Sequence, residues 1–149
     1  MRFRIVIRYV LLIVVVMATF VSCSNEDSKT GANDVSDAVK DGTWKVSYFA
    51  ESGDDKTQDY KGYSFTFRDN SILTASKGTN SYTGVWSASK SSNDDDISST
   101  IFMVTFDTPE VLINLSGNWK VVENTGNVLQ LKDDSSGDST IGHLYFEKI

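Results

Sequence analysis

Residues 60–68 read Tyr60-Lys61-Gly62-Tyr63-Ser64-Phe65-Thr66-Phe67-Arg68. Tyr63, Phe65 and Phe67 alternate with Ser64, Thr66 and Arg68. A strand sends successive side chains to opposite faces, so this spacing makes one aromatic face and one polar face. Asp69-Asn70-Ser71 is a turn, and 72–77 returns as a short strand. Gly78-Thr79-Asn80 turns again, and 81–88 carries Tyr82 and Trp86 on one face. Upstream, 43–50 places Trp44, Val46 and Tyr48 on one face, and 51–59 is a polar loop.

The period of two continues downstream. Residues 89–99 form a low-complexity loop containing Asp94-Asp95-Asp96. In 100–106, Ile101-Phe102-Met103-Val104-Thr105-Phe106 is apolar on both faces. Such a strand is either covered on both sides or is a contact surface. Thr108-Pro109-Glu110 has the pattern of a helix start, with Thr108 as cap and the sole proline at the first helical position. Val111-Leu112-Ile113-Asn114-Leu115 then reads as a short helix packed on the sheet, with a further strand as the alternative. Residues 119–123 and 128–132 are strands flanking an Asn124-Thr125-Gly126-Asn127 hairpin turn. A polar loop spans 133–139, and 141–148 closes the chain.

About eight short strands, linked by turns and loops, pair antiparallel when consecutive. The expected fold is all-β, a single small antiparallel up-and-down barrel of about eight strands, which removes exposed edges. A two-sheet β-sandwich is the alternative.

The first 22 residues are a targeting segment. Arg2, Arg4 and Arg8 precede an apolar run over 9–21, too short to span a bilayer comfortably. The run ends at Val21-Ser22-Cys23, with the only cysteine. This resembles the lipobox of bacterial lipoproteins, in which the cysteine is acylated (palmitate and related chains) and becomes the new N-terminus. The resemblance implies lipid attachment at Cys23 and an outer-membrane location. Ser24-Asn25-Glu26-Asp27 resembles the acidic export signal of Bacteroidota lipoproteins bound for the cell surface, and a solvated spacer has the same composition. The resulting division is 1–22 signal peptide, 23–41 lipidated cysteine with a flexible acidic tether, and 42–149 the barrel domain. Near the tether's end Val35, Ala38 and Val39 share a helical face, with Asn33 as candidate cap and Gly42 as stop.

Cleavage before Cys23 leaves 11 basic and 20 acidic residues, a formal charge of −9. That argues against nucleic acid as a partner and against adsorption to anionic lipid. Membrane attachment therefore rests on the acyl chains at Cys23, and two or more chains make a stable anchor.

The triplet G-x-W occurs three times, at Gly42-Thr43-Trp44, Gly84-Val85-Trp86 and Gly117-Asn118-Trp119, and includes every tryptophan. A G-x-W near the domain start, after a helical turn and before a run of antiparallel strands, resembles the lipocalins and the wider calycin group. The specific likeness is to small lipocalin-like domains of Bacteroidota lipoproteins. Leu115-Ser116-Gly117-Asn118-Trp119-Lys120-Val121 and Leu144-Tyr145-Phe146-Glu147-Lys148 also fit. The resemblance implies a barrel that binds a small hydrophobic or amphipathic ligand. In lipocalins a late arginine packs over the first tryptophan; here the domain's only arginine is Arg68.

The candidate barrel lining is Trp44, Val46, Tyr48, Tyr63, Phe65, Phe67, Trp86 and Trp119. These residues either line a ligand cup or fill the core. Asp94-Asp95-Asp96, with Asp133, Asp134 and Asp138, lacks EF-hand spacing and reads as solvated loop. His143 is the only histidine, and there is no second imidazole or free thiol for zinc or Cys–His chemistry. No Gly-x-Ser-x-Gly elbow or Gly-rich phosphate loop exists. The chain reads as a non-enzyme with no cofactor. Asp138-Ser139-Thr140 resembles a Bacteroidota O-glycosylation motif. Two functions remain, a binding module for a small apolar ligand and an envelope protein-interaction module with a filled barrel.

Overall fold

The computed structural model describes residues 31–91, 99–133 and 142–149. The segments 1–22 and 24–27, Cys23, Asp94-Asp95-Asp96, Asp134 and Asp138-Ser139-Thr140 lie outside the described residues.

Helix α1 spans Ala32–Lys40 and buries Ala32, Val35, Ala38 and Val39. The i, i+3, i+4 spacing of 35, 38 and 39 puts those side chains on one stripe. The helix is longer than the single turn expected. Gly31 occupies the cap position and no side chain caps it, so Asn33 lies inside the helix. Asp34 in the first turn and Lys40 in the last suit the helix dipole. The folded unit thus includes Ala32–Lys40, ahead of the boundary expected at residue 42.

Nine strands follow among the described residues: β1 (Trp44–Glu51), β2 (Asp54–Asp55), β3 (Ser64–Phe67), β4 (Ile72–Lys77), β5 (Asn80–Lys90), β6 (Thr100–Thr105), β7 (Gly117–Asn124), β8 (Val128–Lys132) and β9 (His143–Lys148). A 3-10 turn, Thr57–Tyr60, precedes β3, and helix α2 is Glu110–Ile113. The helical reading of the 111–115 stretch holds, but Pro109 is the cap residue and Thr108 lies before it.

All neighbours pair antiparallel, in the order β2-β1-β3-β4-β5-β6-β7-β8-β9. Strand β1 also pairs with β9 from Trp44↔Lys148 to Ala50↔His143. That pairing closes an eight-strand barrel, with β2 as an extra strand on the end of β1, and sets aside the two-sheet alternative. The thinnest joint is β1–β3, paired only at Trp44↔Phe65.

Two bulges re-aim side chains. Between Val46 and Tyr48 the β1–β9 register shifts by one residue. A bulge inserts an extra residue on one strand and flips the alternation beyond it. Ser47 and Tyr48 therefore both face outward, and Phe49 takes the inward place expected of Tyr48. Tyr48 lies against Tyr145 and His143 on the outer face, with ring centroids at 5.2 and 6.5 Å. A second shift, between Val121 and Glu123, turns Asn124 inward.

The barrel is filled by its own side chains. The Phe67 ring meets Trp86, Phe102 and Phe146 edge-on at 5.5–5.6 Å. Phe65 meets Phe146 in the same way at 5.4 Å. Aromatic pairs favour this T-shaped arrangement. Both ends are plugged. Val35 and Val39 of α1 join the core at one end, and Tyr60, Leu112 and Leu115 join it at the other. The Tyr60 hydroxyl donates to the Val111 carbonyl at 2.9 Å, tying the 3-10 turn to α2.

On β6, Phe102 and Val104 are fully buried, and Phe106 beyond the strand is buried with them in the cluster that contains Leu112 and Leu115. Ile101 and Met103 face outward, half-buried. One apolar face of the strand is thereby used in the core, and the other stays half-buried on the outside.

Candidate functional site

The three tryptophans are each buried, and each indole N–H has a backbone acceptor. Trp44 Nε1 donates to Val39 O at 2.8 Å, beneath α1. Trp86 Nε1 donates to Arg68 O and Trp119 Nε1 to Leu115 O, both at 3.0 Å. Relative exposures are 0%, 3% and 6% in chain order. A buried indole needs a partner for its one donor, and here the fold supplies all three.

The cation over Trp44 is Lys148 rather than an arginine. Its Nζ lies 5.5 Å from the indole centroid and 3.0 Å from the Asp41 carboxylate. Arg68 instead gives only its backbone carbonyl to Trp86.

Of the proposed lining, Trp44, Val46, Tyr63, Phe65, Phe67, Trp86 and Trp119 all belong to the buried core. Tyr63 lies beside Tyr82, with Lys77 Nζ 4.7 Å over its ring. Burial raises the Tyr63 pKa, as it does more strongly for Tyr60. Tyr48 is outside.

Two clefts stand out, and neither is lined by Trp44 or Trp86. One is a broad open depression beside Lys40 and the 66–70 segment, where Lys40 already bridges Asp37 and Asp69 at 3.0 and 2.9 Å. The Asp69 hydrogen bond, then Asp37, raises the Lys40 pKa.

The other, of about 400 Å³, opens at the Glu51 end of the barrel. Phe49 and Trp119 are among its lining residues, and so are the polar Glu51, Asn114, Asn118 and Asp133. The β1 end of the cleft is held by a corner of hydrogen bonds. Lys56 Nζ lies 2.6 Å from Glu51 Oε2, which raises the lysine's pKa. The Thr57 hydroxyl accepts from Phe49 N–H at 2.9 Å. The Asp55 carboxylate accepts from Thr57 N–H at 2.9 Å, and its bonds to Thr57 lower its pKa. On the opposite side, Asp133 N–H donates to Gly142 O at 2.9 Å, joining the β8 and β9 ends.

Sequence reading identified Trp119 but not its companions. Phe49 is masked by the bulge, and Asn114 and Asn118 carry no periodic signal. Among the described residues no group of three or more His, Cys, Asp or Glu is arranged to hold a metal. His143 is half-buried on the outer face, with its ring 6.1 Å from that of Tyr145. No helix among the described residues is long and apolar enough to cross a membrane.

No family model matches the chain, and no curated protein does. A solved crystal structure described as a DUF4847 family protein from Bacteroides vulgatus superposes on 76% of this chain and 96% of that chain. The TM-score is 0.49 and the identity 17%.

Proposed function

We propose that this chain is a lipid-anchored, lipocalin-like module of the bacterial envelope. Its barrel is a filled scaffold, and recognition is carried on its outside and its ends. The observation that carries this reading is the interior. Trp44, Phe65, Phe67, Phe102 and Phe146 close it with their own rings, and all three indole N–H groups are bonded to backbone carbonyls. A hydrophobic ligand would have to displace those contacts. The lipocalin-like part is supported by a first G-x-W tryptophan beneath a preceding helix, with a late-chain cation, Lys148, over its ring.

The anchor rests on Cys23 and the basic and apolar segments before it. The outer-membrane and surface location rests on Ser24-Asn25-Glu26-Asp27. The role is non-enzymatic, with an envelope protein as the partner class.

Native mass spectrometry of the protein, purified from its own bacterium and delipidated, is expected to return the apoprotein mass. A stoichiometric apolar molecule retained in the barrel would overturn the filled-scaffold reading. Cys23→Ser is expected to block processing or release the protein from membranes. Unchanged membrane association would sink the lipid-anchor part alone.

A further inference from the structure

We infer that the cleft at the Glu51 end of the barrel binds a neutral, hydroxyl-rich molecule of mono- or disaccharide size. Its volume, about 400 Å³, falls within the range of small-molecule sites. Its walls decide the ligand class.

The apolar part is small. Phe49 is 1% exposed and Trp119 6%, so the two rings offer little apolar surface to a ligand. A fully hydrophobic ligand would gain little there and would strip water from Asn114, Asn118, Glu51 and Asp133 without replacing their hydrogen bonds. Such uncompensated desolvation is costly. Charge does not select the ligand either. Glu51 is already matched by Lys56 at 2.6 Å, and Asp133 is also engaged. An anion would meet two carboxylates, and a cation would compete with groups already in place.

What remains open is hydrogen bonding of both senses. A carboxamide donates and accepts, and carboxylates accept. Asn114 and Asn118 are both exposed and both line the cleft. Paired donors and acceptors beside an aromatic ring suit a molecule with many hydroxyls and one C–H-rich face. The ring is also kept clear by the sequence. A Cβ on Gly142 would stand 3.5 Å from Trp119 Cζ3 and 3.3 Å from Asp133 Cβ. A side chain at 142 would therefore press on the indole and narrow the cleft.

The inference goes beyond the filled-scaffold reading, and each can fail alone. The test uses the full-length protein in a non-glycosidic detergent. Saturation-transfer NMR and isothermal titration calorimetry are run with glucose, galactose, mannose, N-acetylglucosamine and maltose. At least one sugar is expected to bind saturably. The double variant Asn114→Ala/Asn118→Ala is expected to weaken that binding at least tenfold with an unchanged melting temperature. Gly142→Val, which fills the space beside Trp119, is expected to weaken it as well. No saturable binding of any sugar overturns the proposal, and so does binding that both variants retain. Binding of palmitate in place of sugars would overturn it too, and would count against the filled scaffold at the same time.

Discussion

The glycines of the three G-x-W triplets look equivalent in sequence, and the structure makes them differ in a way that Gly→Ala substitutions read directly. At Gly84 an added Cβ would lie 2.4 Å from the Thr105 carbonyl oxygen and 2.7 Å from Phe106 Cδ1. The oxygen belongs to the neighbouring strand β6, opposite Val85 in the ladder, and cannot rotate away. Relief requires β5 and β6 to separate where Phe106 and Trp86 are buried. Overpacking a tight core typically costs about 1–3 kcal/mol, and a backbone clash belongs at or above the top of that range. For a domain of this size, roughly 3 kcal/mol lowers the melting temperature by about 10 °C or more. At Gly42 the cause is different. Its φ is +96°, with Lys148 Cε 3.2 Å from the added Cβ. A left-handed backbone costs an L-residue roughly 1–2 kcal/mol, and the lysine can shift. At Gly117 neither cause operates. Its Cβ would meet Trp119 Nε1 at 3.6 Å, an ordinary contact. Alanine in a strand is favoured over glycine by about 0.5–1 kcal/mol, so Gly117→Ala is expected to be neutral or stabilising. Circular-dichroism melts of the three variants should rank Gly84→Ala least stable, Gly42→Ala intermediate and Gly117→Ala at or above the parent. A Gly84→Ala variant melting within about 2 °C of the parent would refute the close-approach argument. Equal losses at all three sites would refute the distinction between them.

Tyr60→Phe removes the bond to Val111 O and is expected to cost about 1 kcal/mol in urea melts at neutral pH. Burial raises the Tyr60 pKa above its ordinary value of about 10. The folded state therefore binds this proton more tightly than the unfolded state, and the stability it confers declines as pH rises above roughly 10. Tyr60→Phe should flatten that alkaline decline, and an identical pH profile would show that Tyr60 is not its source. Asp55 has the opposite sign. Its lowered pKa confers stability that is present above roughly pH 4 and is lost as pH falls through the folded value. Asp55→Asn should remove that acid dependence in melts between neutral and acidic pH. Among the described residues the buried Thr100 hydroxyl has no hydrogen-bond partner. Thr100→Val should therefore leave the melting temperature unchanged or raise it, and a loss above about 1 kcal/mol would mean the hydroxyl has a partner. Lys148→Met removes the contact with Trp44 and the Asp41 pair, for an expected loss of about 0.5–1 kcal/mol that Lys148→Arg should largely restore.

The strand count, the turns and the antiparallel order were legible because each rests on local rules. Tyr63, Phe65 and Phe67 alternate with polar residues, and the turns at 69–71, 78–80 and 124–127 punctuate the runs. Closure followed from the number of strands. The register did not. The bulge between Val46 and Tyr48 exchanges Tyr48 for Phe49 on the inner face, because two successive residues of β1 face one residue of β9. Nothing in Trp44-Lys45-Val46-Ser47-Tyr48-Phe49 marks which residue is extra, since both aromatics suit either face. The cleft was less legible still. Phe49, Asn114, Trp119 and Asp133 come from four places in the chain, and they meet only because β1 lies beside β9 and α2 leads back into β7.

By itself, the sequence determined that this is an all-β chain of short antiparallel strands with its tryptophans inside, because period-two alternation and turn chemistry act over a few residues. It also carries a basic start and an apolar run ending at Cys23, read by residue type and order alone. Only the tertiary structure decided that the barrel is filled, because volume is a property of all strands at once. The same long-range packing gave Trp44 its cation, since Lys148 reaches the ring only once β9 closes on β1. It also gave the three glycines three different reasons: a left-handed turn at 42, a carbonyl at 2.4 Å at 84, and no steric need at 117. At Gly84 the reason is a distance between residues far apart in sequence, which no local pattern encodes.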